Sequence, residues 1–106
     1  MANALINVPD RARRGEIVEI KTLISHPMET GYRRSQLGAR IPRDIIRLLV
    51  CTYNGTEVFR AELHPAITAN PFFVFSTVAT ESGTLTFQWT GDNSYTVTEI
   101  APIRVE

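Results

Sequence analysis

The sequence predicts an all-β domain. Short segments alternate between apolar and polar residues, which is the pattern of a strand with one buried face. Turn-forming Gly, Pro, Asn and Asp residues separate these segments, and no segment has the spacing of an amphipathic helix. About seven such strands in a chain of 106 residues are typical of an immunoglobulin-like antiparallel β-sandwich. The length fits one domain, spanning residues 1–106, that can bury a core without disulfides.

Two strands are predicted before residue 26. The apolar residues at positions 5, 6 and 8 indicate the first, which ends at Pro9 because proline cannot donate a backbone hydrogen bond. Residues 10–15 read as a polar turn. Residues 16–25 alternate again, with side chains such as Ile20 toward the core and Lys21 toward solvent.

Residues 26–44 are predicted to form a long loop. The segment has no helical period and contains Gly31, Gly38 and Pro42. Loops longer than about 15 residues inside a compact domain are usually functional or mobile. It is also the one stretch where imidazole, thioether, carboxylate and guanidinium groups crowd together.

The second half of the chain alternates most clearly at residues 84–90. There Leu85, Phe87 and Trp89 share one face, which predicts that all three lie in the core between the sheets. Pro102 interrupts the last strand and suits a sheet edge. The strands predicted after the loop are residues 45–52, 58–63, 72–78, 84–90 and 95–105.

The Asn-Gly turn at 54–55 leaves the register of its hairpin open. A two-residue loop places Leu48 and Val50 on the face of the next strand's apolar residues, whereas a three-residue loop with a glycine bulge places Leu49 and Cys51 there. With either register, the strand before the turn is apolar on both faces. The outward set needs a cover, which could be the long loop or another protein, and we expect another protein.

Charge and hydropathy exclude two classes of partner. Eleven basic and eleven acidic residues cancel, so no general field attracts nucleic acid. No apolar run is long enough to span a membrane. The first residues lack a basic segment and an apolar core, so we expect no signal peptide.

The sequence predicts no catalytic residue, metal or cofactor. His26, Met28 and Glu29 could bind a soft metal, but three ligands within four residues at a strand end have poor geometry. Ser25 and His26 are adjacent and point to opposite faces of a strand, and no G-x-S-x-G motif occurs, which argues against a hydrolase. Cys51, the only cysteine, sits among apolar strand residues and is predicted to be buried and inert.

Arginine dominates the basic residues, with Lys21 as the single lysine. Arginine favours fixed contacts with anions and is enriched at protein interfaces. The arginines of the long loop could attract an anion or an acidic protein surface, or they could pair with Glu29 and Asp44 in a solvated loop. They are Arg33, Arg34, Arg40 and Arg43.

Five motifs, in order and with similar spacing, resemble the SoxZ family, the non-carrier subunits of the sulfur-carrier complex in bacterial thiosulfate oxidation. They are ISHPMETG at 24–31, IPRDII at 41–46, CTYNG at 51–55, ANPFF at 69–73 and GTLTFQWT at 83–90. The resemblance implies a binding subunit that pairs with a SoxY sulfur carrier as a heterodimer. It implies that the pair presents cysteine-bound sulfur to other Sox enzymes through transient contacts. It also implies a periplasmic location, reached by export with the partner.

The end of the chain fits the same resemblance. SoxY-type carriers bear sulfur on a cysteine in a glycine-flanked C-terminal arm. Residues 103–106 of this sequence contain neither cysteine nor glycine. We therefore expect the non-carrier role. The alternatives are a generic immunoglobulin-like interaction domain and a small metal- or anion-binding protein.

A partner surface is predicted on the outward face of strand 45–51 and the loop beside it. Methionine, tyrosine and arginine are enriched in interface cores, and obligate interfaces are large and apolar. The residues predicted to contact the partner are His26, Met28, Tyr32, Arg33, Arg43, Leu48 and Val50.

Overall fold

The computed structural model describes residues 4–106 and contains eight strands in two sheets. One sheet has the order β1-β3-β6, and the other has the order β2-β8-β7-β4-β5. All paired neighbours are antiparallel except β2 and β8. The immunoglobulin-like sandwich predicted from the sequence is therefore confirmed. The strands are β1 Ala4–Asn7, β2 Arg11–Ala12, β3 Ile17–Ile24, β4 Ile46–Tyr53, β5 Thr56–Glu62, β6 Phe72–Val78, β7 Gly83–Gly91 and β8 Thr96–Val105.

The short strand β2 corrects the prediction that residues 10–15 form only a polar turn. Arg11 and Ala12 pair in parallel with Arg104 and Val105 of β8, and the side chain of Ala12 is buried. Two residues are too few for alternation to be recognised in a sequence. Among residues 4–106, β2 pairs with β8 only at Arg104 and Val105, so β8 has no paired strand on that side at Pro102, as expected of an edge position.

The core lies between the two sheets. Leu85, Phe87 and Trp89 are all buried, which confirms their predicted place. Rings of Phe59 and Phe75, from opposite sheets, stack with centroids 4.1 Å apart. Among residues 4–106, no helix is long and apolar enough to cross a membrane.

The β4–β5 hairpin combines features of both predicted registers. The turn has two residues, Asn54 and Gly55, with positive φ angles of 48° and 86°, and Tyr53 pairs directly with Thr56. A bulge beyond the turn then shifts the register between Cys51 and Thr52. As a result Leu49 and Cys51 face the core with Phe59 and Ala61, and Leu48 and Val50 lie on the outer face. A β-bulge inserts one unpaired residue and so exchanges the two faces beyond it.

The predicted loop folds back on itself as an extended arm, which we define as residues 29–44. Its legs pair at two isolated β-bridges, Glu29 with Asp44 and Arg34 with Arg40. A tight turn at the tip is closed by the N–H of Gly38 donating to the carbonyl of Ser35 at 2.9 Å. The molecule is elongated, with principal extents of 59 × 20 × 20 Å.

Candidate interaction surface

His26 anchors the chain just before the arm begins. Its side chain is 4% exposed, and its Nδ1 accepts the N–H of Met28 at 2.9 Å. Its own N–H donates to Asn70 Oδ1 at 2.9 Å, and its ring meets Tyr95 edge-on at 4.9 Å. Because Nδ1 is an acceptor, neutral His26 carries its proton on Nε2, which lies 3.9 Å from Asp44 Oδ1.

Met28 completes this anchor. It has a φ of 52°, a left-handed conformation that non-glycine residues adopt only when their surroundings hold them there. The N–H of Ile46 donates to the Met28 sulfur at 3.3 Å, and the Met28 side chain is buried. His26 and Met28 therefore serve the interior of the monomer. Their predicted contact with a partner stays a prediction.

Asp92 fixes the other leg of the arm and was missed by sequence reasoning. Arg43 donates to both of its oxygens, from Nε at 2.8 Å and from Nη2 at 2.9 Å. The N–H of Ile45 donates to Asp92 Oδ2 at 3.2 Å, and Arg47 Nε lies 3.6 Å from Oδ1. The hydrogen bond from Arg43, the N–H of Ile45 and the two guanidinium charges lower the pKa of Asp92.

The turn that carries Asp92 requires a glycine beside it. A Cβ at Gly91 would lie 2.4 Å from the carbonyl oxygen of Ile45. The same closeness lets the N–H of Asp92 donate to that oxygen at 2.9 Å. The two segments therefore exchange hydrogen bonds in both directions, since the N–H of Ile45 also donates to the Asp92 carboxylate.

Arg33 and Tyr32 lie on the outgoing leg of the arm. Arg33 pairs with Glu29, with Nε at 3.0 Å from Oε2, and this hydrogen bond lowers the pKa of Glu29. Tyr32 is 78% exposed. The legs approach closely at Gly31, where a Cβ would come within 2.9 Å of the Arg43 Cβ. Arg33 and Arg43 are thus both engaged within the chain, whereas Tyr32 is available to a partner.

Leu48 and Val50 lie on the outer face of β4 and are half-buried. Polar residues of the neighbouring strands flank them, because Leu48 pairs with Glu62 and Val50 pairs with Arg60 on β5. A groove of about 410 Å³ connects this face to the arm and is lined by both Leu48 and Arg43. The predicted partner residues Arg43 and Leu48 therefore border one continuous depression.

A second apolar face was missed by sequence reasoning. On the outer side of the three-stranded sheet, Leu5, Leu23 and Phe72 form one row across β1, β3 and β6. Leu5 is 66% exposed, Phe72 57% and Val74 47%. The available signal was Leu23 on the polar face of its strand and the Phe-Phe-Val sequence at 72–74, which is apolar on both faces.

Cys51 is fully buried, which confirms that part of its prediction. Burial raises the pKa of its thiol to about 12, because the thiolate loses solvation. The thiolate is the nucleophilic form of cysteine, so this thiol is unreactive at neutral pH.

We also predict that Cys51 is dispensable for sulfur transfer, and this prediction has a direct test. We expect native protein at pH 8 to resist a thiol-specific reagent, and urea-unfolded protein to react at once. Cys51→Ser should lower the free energy of unfolding by about 1–3 kcal/mol, the cost of an unsatisfied buried polar group. In the role that the resemblance to the SoxZ family implies, the variant should leave thiosulfate-dependent activity of a reconstituted system intact. Loss of sulfur loading by a folded, paired variant would contradict this.

His26 predicts a pH-dependent stability. Burial lowers its pKa below the usual 6.5, while the Asp44 and Asp92 charges oppose this shift. The unfolded chain therefore binds the proton more tightly, so the stabilisation is complete above pH 6.5 and is lost as pH falls through the folded pKa. Urea unfolding between pH 7.5 and 5 should show this loss. His26→Asn, which keeps an acceptor near Nδ1, should flatten the curve; an unchanged slope in the variant would assign the dependence to other groups.

Residues 4–106 contain no group of three or more His, Cys, Asp or Glu side chains arranged to hold a metal ion. The Met28 sulfur, a soft ligand in the predicted alternative, already accepts the N–H of Ile46. His64, the other histidine, lines the outer groove, whereas His26 lies in the interior. The three candidate ligands are instead engaged within the chain: His26 Nδ1 and the Met28 sulfur accept backbone hydrogen bonds, and Glu29 pairs with Arg33.

The sequence model of the family "Sulphur oxidation protein SoxZ" matches residues 6–101. This chain belongs to the SoxZ family. No curated protein sequence matched the chain.

Solved structures similar to this SoxZ-family chain include enzymes and a sulfur carrier. A superoxide reductase (neelaredoxin) from Ignicoccus hospitalis has a TM-score of 0.73 at 18% identity, covering 97% of this chain and 80% of that one. A putative superoxide reductase from Thermotoga maritima has a TM-score of 0.70 at 19% identity, covering 97% and 85%. The sulfur carrier protein SoxY from Chlorobium limicola f thiosulfatophilum has a TM-score of 0.67 at 12% identity, covering 97% and 78%. At these identities the likeness concerns the fold alone.

Proposed function

We propose that this chain is a non-catalytic binding subunit that pairs with a SoxY-type sulfur carrier. The pair would present the carrier's cysteine-bound sulfur intermediates to the thiosulfate-oxidising enzymes of the periplasm. The observation that carries the proposal is the SoxZ family match over residues 6–101. The role in sulfur oxidation follows from this family, whereas the pairing and the location are our inference.

The chemistry of the single cysteine supports a role other than carrying sulfur. A carrier must expose its thiol to several enzymes in turn. Cys51 is buried in the core, and its pKa is raised to about 12. A sulfur-bearing residue would therefore have to come from another chain.

We propose that the carrier covers the groove side of the larger sheet. Leu48 and Val50 lie on this face, and Arg43 and the exposed Tyr32 stand on the arm beside it. Apolar residues surrounded by polar ones match the anatomy of an interface with a small core and a polar rim. The outer face of the three-stranded sheet is a second candidate, because Leu5, Phe72 and Val74 are more exposed than Leu48 and Val50.

The test is to mix the purified chain with the SoxY-type carrier of the same organism. Size-exclusion chromatography with light scattering should show a heterodimer, and native mass spectrometry should give a 1:1 mass without metal. A chain that stays unpaired at micromolar concentration would overturn the proposal. Bound copper or zinc in the isolated chain would favour the metal-binding alternative instead.

A further inference from the structure

The tip of the arm places two arginines directly opposite each other. Arg34 and Arg40 form an antiparallel bridge. Around this bridge the N–H of Ile41 donates to Arg33 O at 2.9 Å, and the N–H of Ser35 donates to Ala39 O at 2.7 Å. This pattern identifies a non-hydrogen-bonded pair, in which the two side chains lie on one face and approach most closely. Like charges directly opposite in this way destabilise a strand pair.

No acidic residue of the arm relieves this repulsion. Residues 30–43 contain no Asp or Glu. Glu29 is engaged by Arg33, Asp44 lies 3.9 Å from His26 Nε2, and Asp92 is engaged by Arg43 and Arg47. Within residues 4–106, neither Arg34 nor Arg40 forms an ion pair, and Arg34 donates only to the carbonyl of Gly38, at 2.9 Å.

Exposed apolar groups accompany the arginine pair. Leu37, in the tip turn, is 96% exposed, and Tyr32 precedes Arg34 by two residues. Arginine and tyrosine are the residue types that most often dominate binding energy at interfaces. The arm is anchored rather than loose, because His26, Met28 and Asp92 fix its two ends. The backbone hydrogen bonds around the bridge also hold Arg34 and Arg40 side by side, which lowers the entropic cost of binding at this pair.

We infer that the Arg34–Arg40 pair is a docking site for a carboxylate-bearing segment of the carrier subunit, with Leu37 contacting the same partner. A carboxylate between two guanidiniums would convert the repulsion into two charge-assisted hydrogen bonds. The carrier is the occupant because the arm borders the groove that it is proposed to cover, through Arg43. The zero formal net charge of the chain gives no long-range attraction for nucleic acid or an anionic membrane. The inference rests on the proposed pairing with a SoxY-type carrier.

The test uses opposite effects on stability and on binding. Arg34→Glu puts opposite charges across the bridge, so the free chain should keep or raise its thermal midpoint. The same variant should bind the carrier at least about tenfold more weakly, with a flatter dependence of Kd on salt. Arg34→Gln and Arg40→Gln should each weaken binding without lowering the midpoint. Arg104→Gln, at an exposed arginine of β8, is the matched control and should leave Kd unchanged.

Each outcome separates this inference from the proposed function. Failure of the unmodified chain to bind the carrier would refute the pairing itself. Binding by all variants with the affinity of the unmodified chain would refute the arginine site alone. A thermal midpoint that falls in parallel with the affinity would show that the two arginines stabilise the fold rather than bind the carrier. If the affinity for the carrier depends on Arg34 and Arg40 only when the carrier is loaded with sulfur, the bound anion is the sulfur cargo. If the affinity for DNA or anionic vesicles depends equally on the two arginines, the site binds polyanions in general. Either result overturns the inference.

Discussion

Trp89→Ala should lower the free energy of unfolding by about 3–5 kcal/mol, the range for a large aromatic removed from a core. Trp89 is 1% exposed. It pairs with Leu49 of β4 and Val97 of β8, and its ring lies 6.3 Å from that of Phe87. The strands around it belong to the centre of the larger sheet, so the neighbours cannot collapse readily into the cavity.

Urea unfolding followed by far-ultraviolet circular dichroism measures this change without using tryptophan fluorescence, since Trp89 is the only tryptophan. Gln88→Ala is the matched control, because Gln88 lies next in the same strand and is exposed. It should change the free energy of unfolding by no more than about 0.5 kcal/mol. A loss below about 1 kcal/mol for Trp89→Ala, or equal losses for the two variants, would contradict the register of β7.

The alternation in β7 shows why most of the fold was predictable from the sequence. A strand with one buried face repeats its apolar residues every second position, so Leu85, Phe87 and Trp89 identify the core face without any partner strand. The same logic located β3 and β6 to within one residue at either end. It could not settle the register of β4 against β5, because a bulge beyond the turn exchanges the faces and leaves no periodic trace.

The arm was predictable only as a segment without regular structure. Its legs pair through two isolated bridges, so they never build the alternation that marks a strand. Asp92, which anchors the arm, is 49 positions away from Arg43. It lies in a Gly-Asp-Asn turn, and such a sequence is common in turns and does not indicate a long-range contact. The mixture of chemical groups in residues 26–29 did indicate a special segment. In the structure, the His26 ring and the Met28 sulfur accept hydrogen bonds from backbone N–H groups, and these bonds fix the local backbone conformation.

Aspartate at position 48 or 50 should disrupt pairing with the carrier. In the proposed complex both side chains leave water completely, and an uncompensated charge buried there costs about 3–5 kcal/mol. In the isolated chain both side chains are only half-buried on the outer face, so the carboxylate can remain hydrated and the fold should persist. We therefore expect at least one of Leu48→Asp and Val50→Asp to abolish association while circular dichroism and the thermal midpoint stay near those of the unmodified chain.

Phe72→Asp and Val74→Asp are the matched variants on the opposite sheet. Both side chains are more exposed than Leu48 and Val50, so hydration of the added charge in the isolated chain should be easier still. If the groove side binds the carrier, these two variants should retain its affinity. If they abolish pairing while Leu48→Asp and Val50→Asp bind normally, the carrier covers the row of Leu5, Leu23 and Phe72 instead. The more apolar face would then make the permanent contact, as is usual for obligate interfaces, and the groove and arm would be left for a different partner.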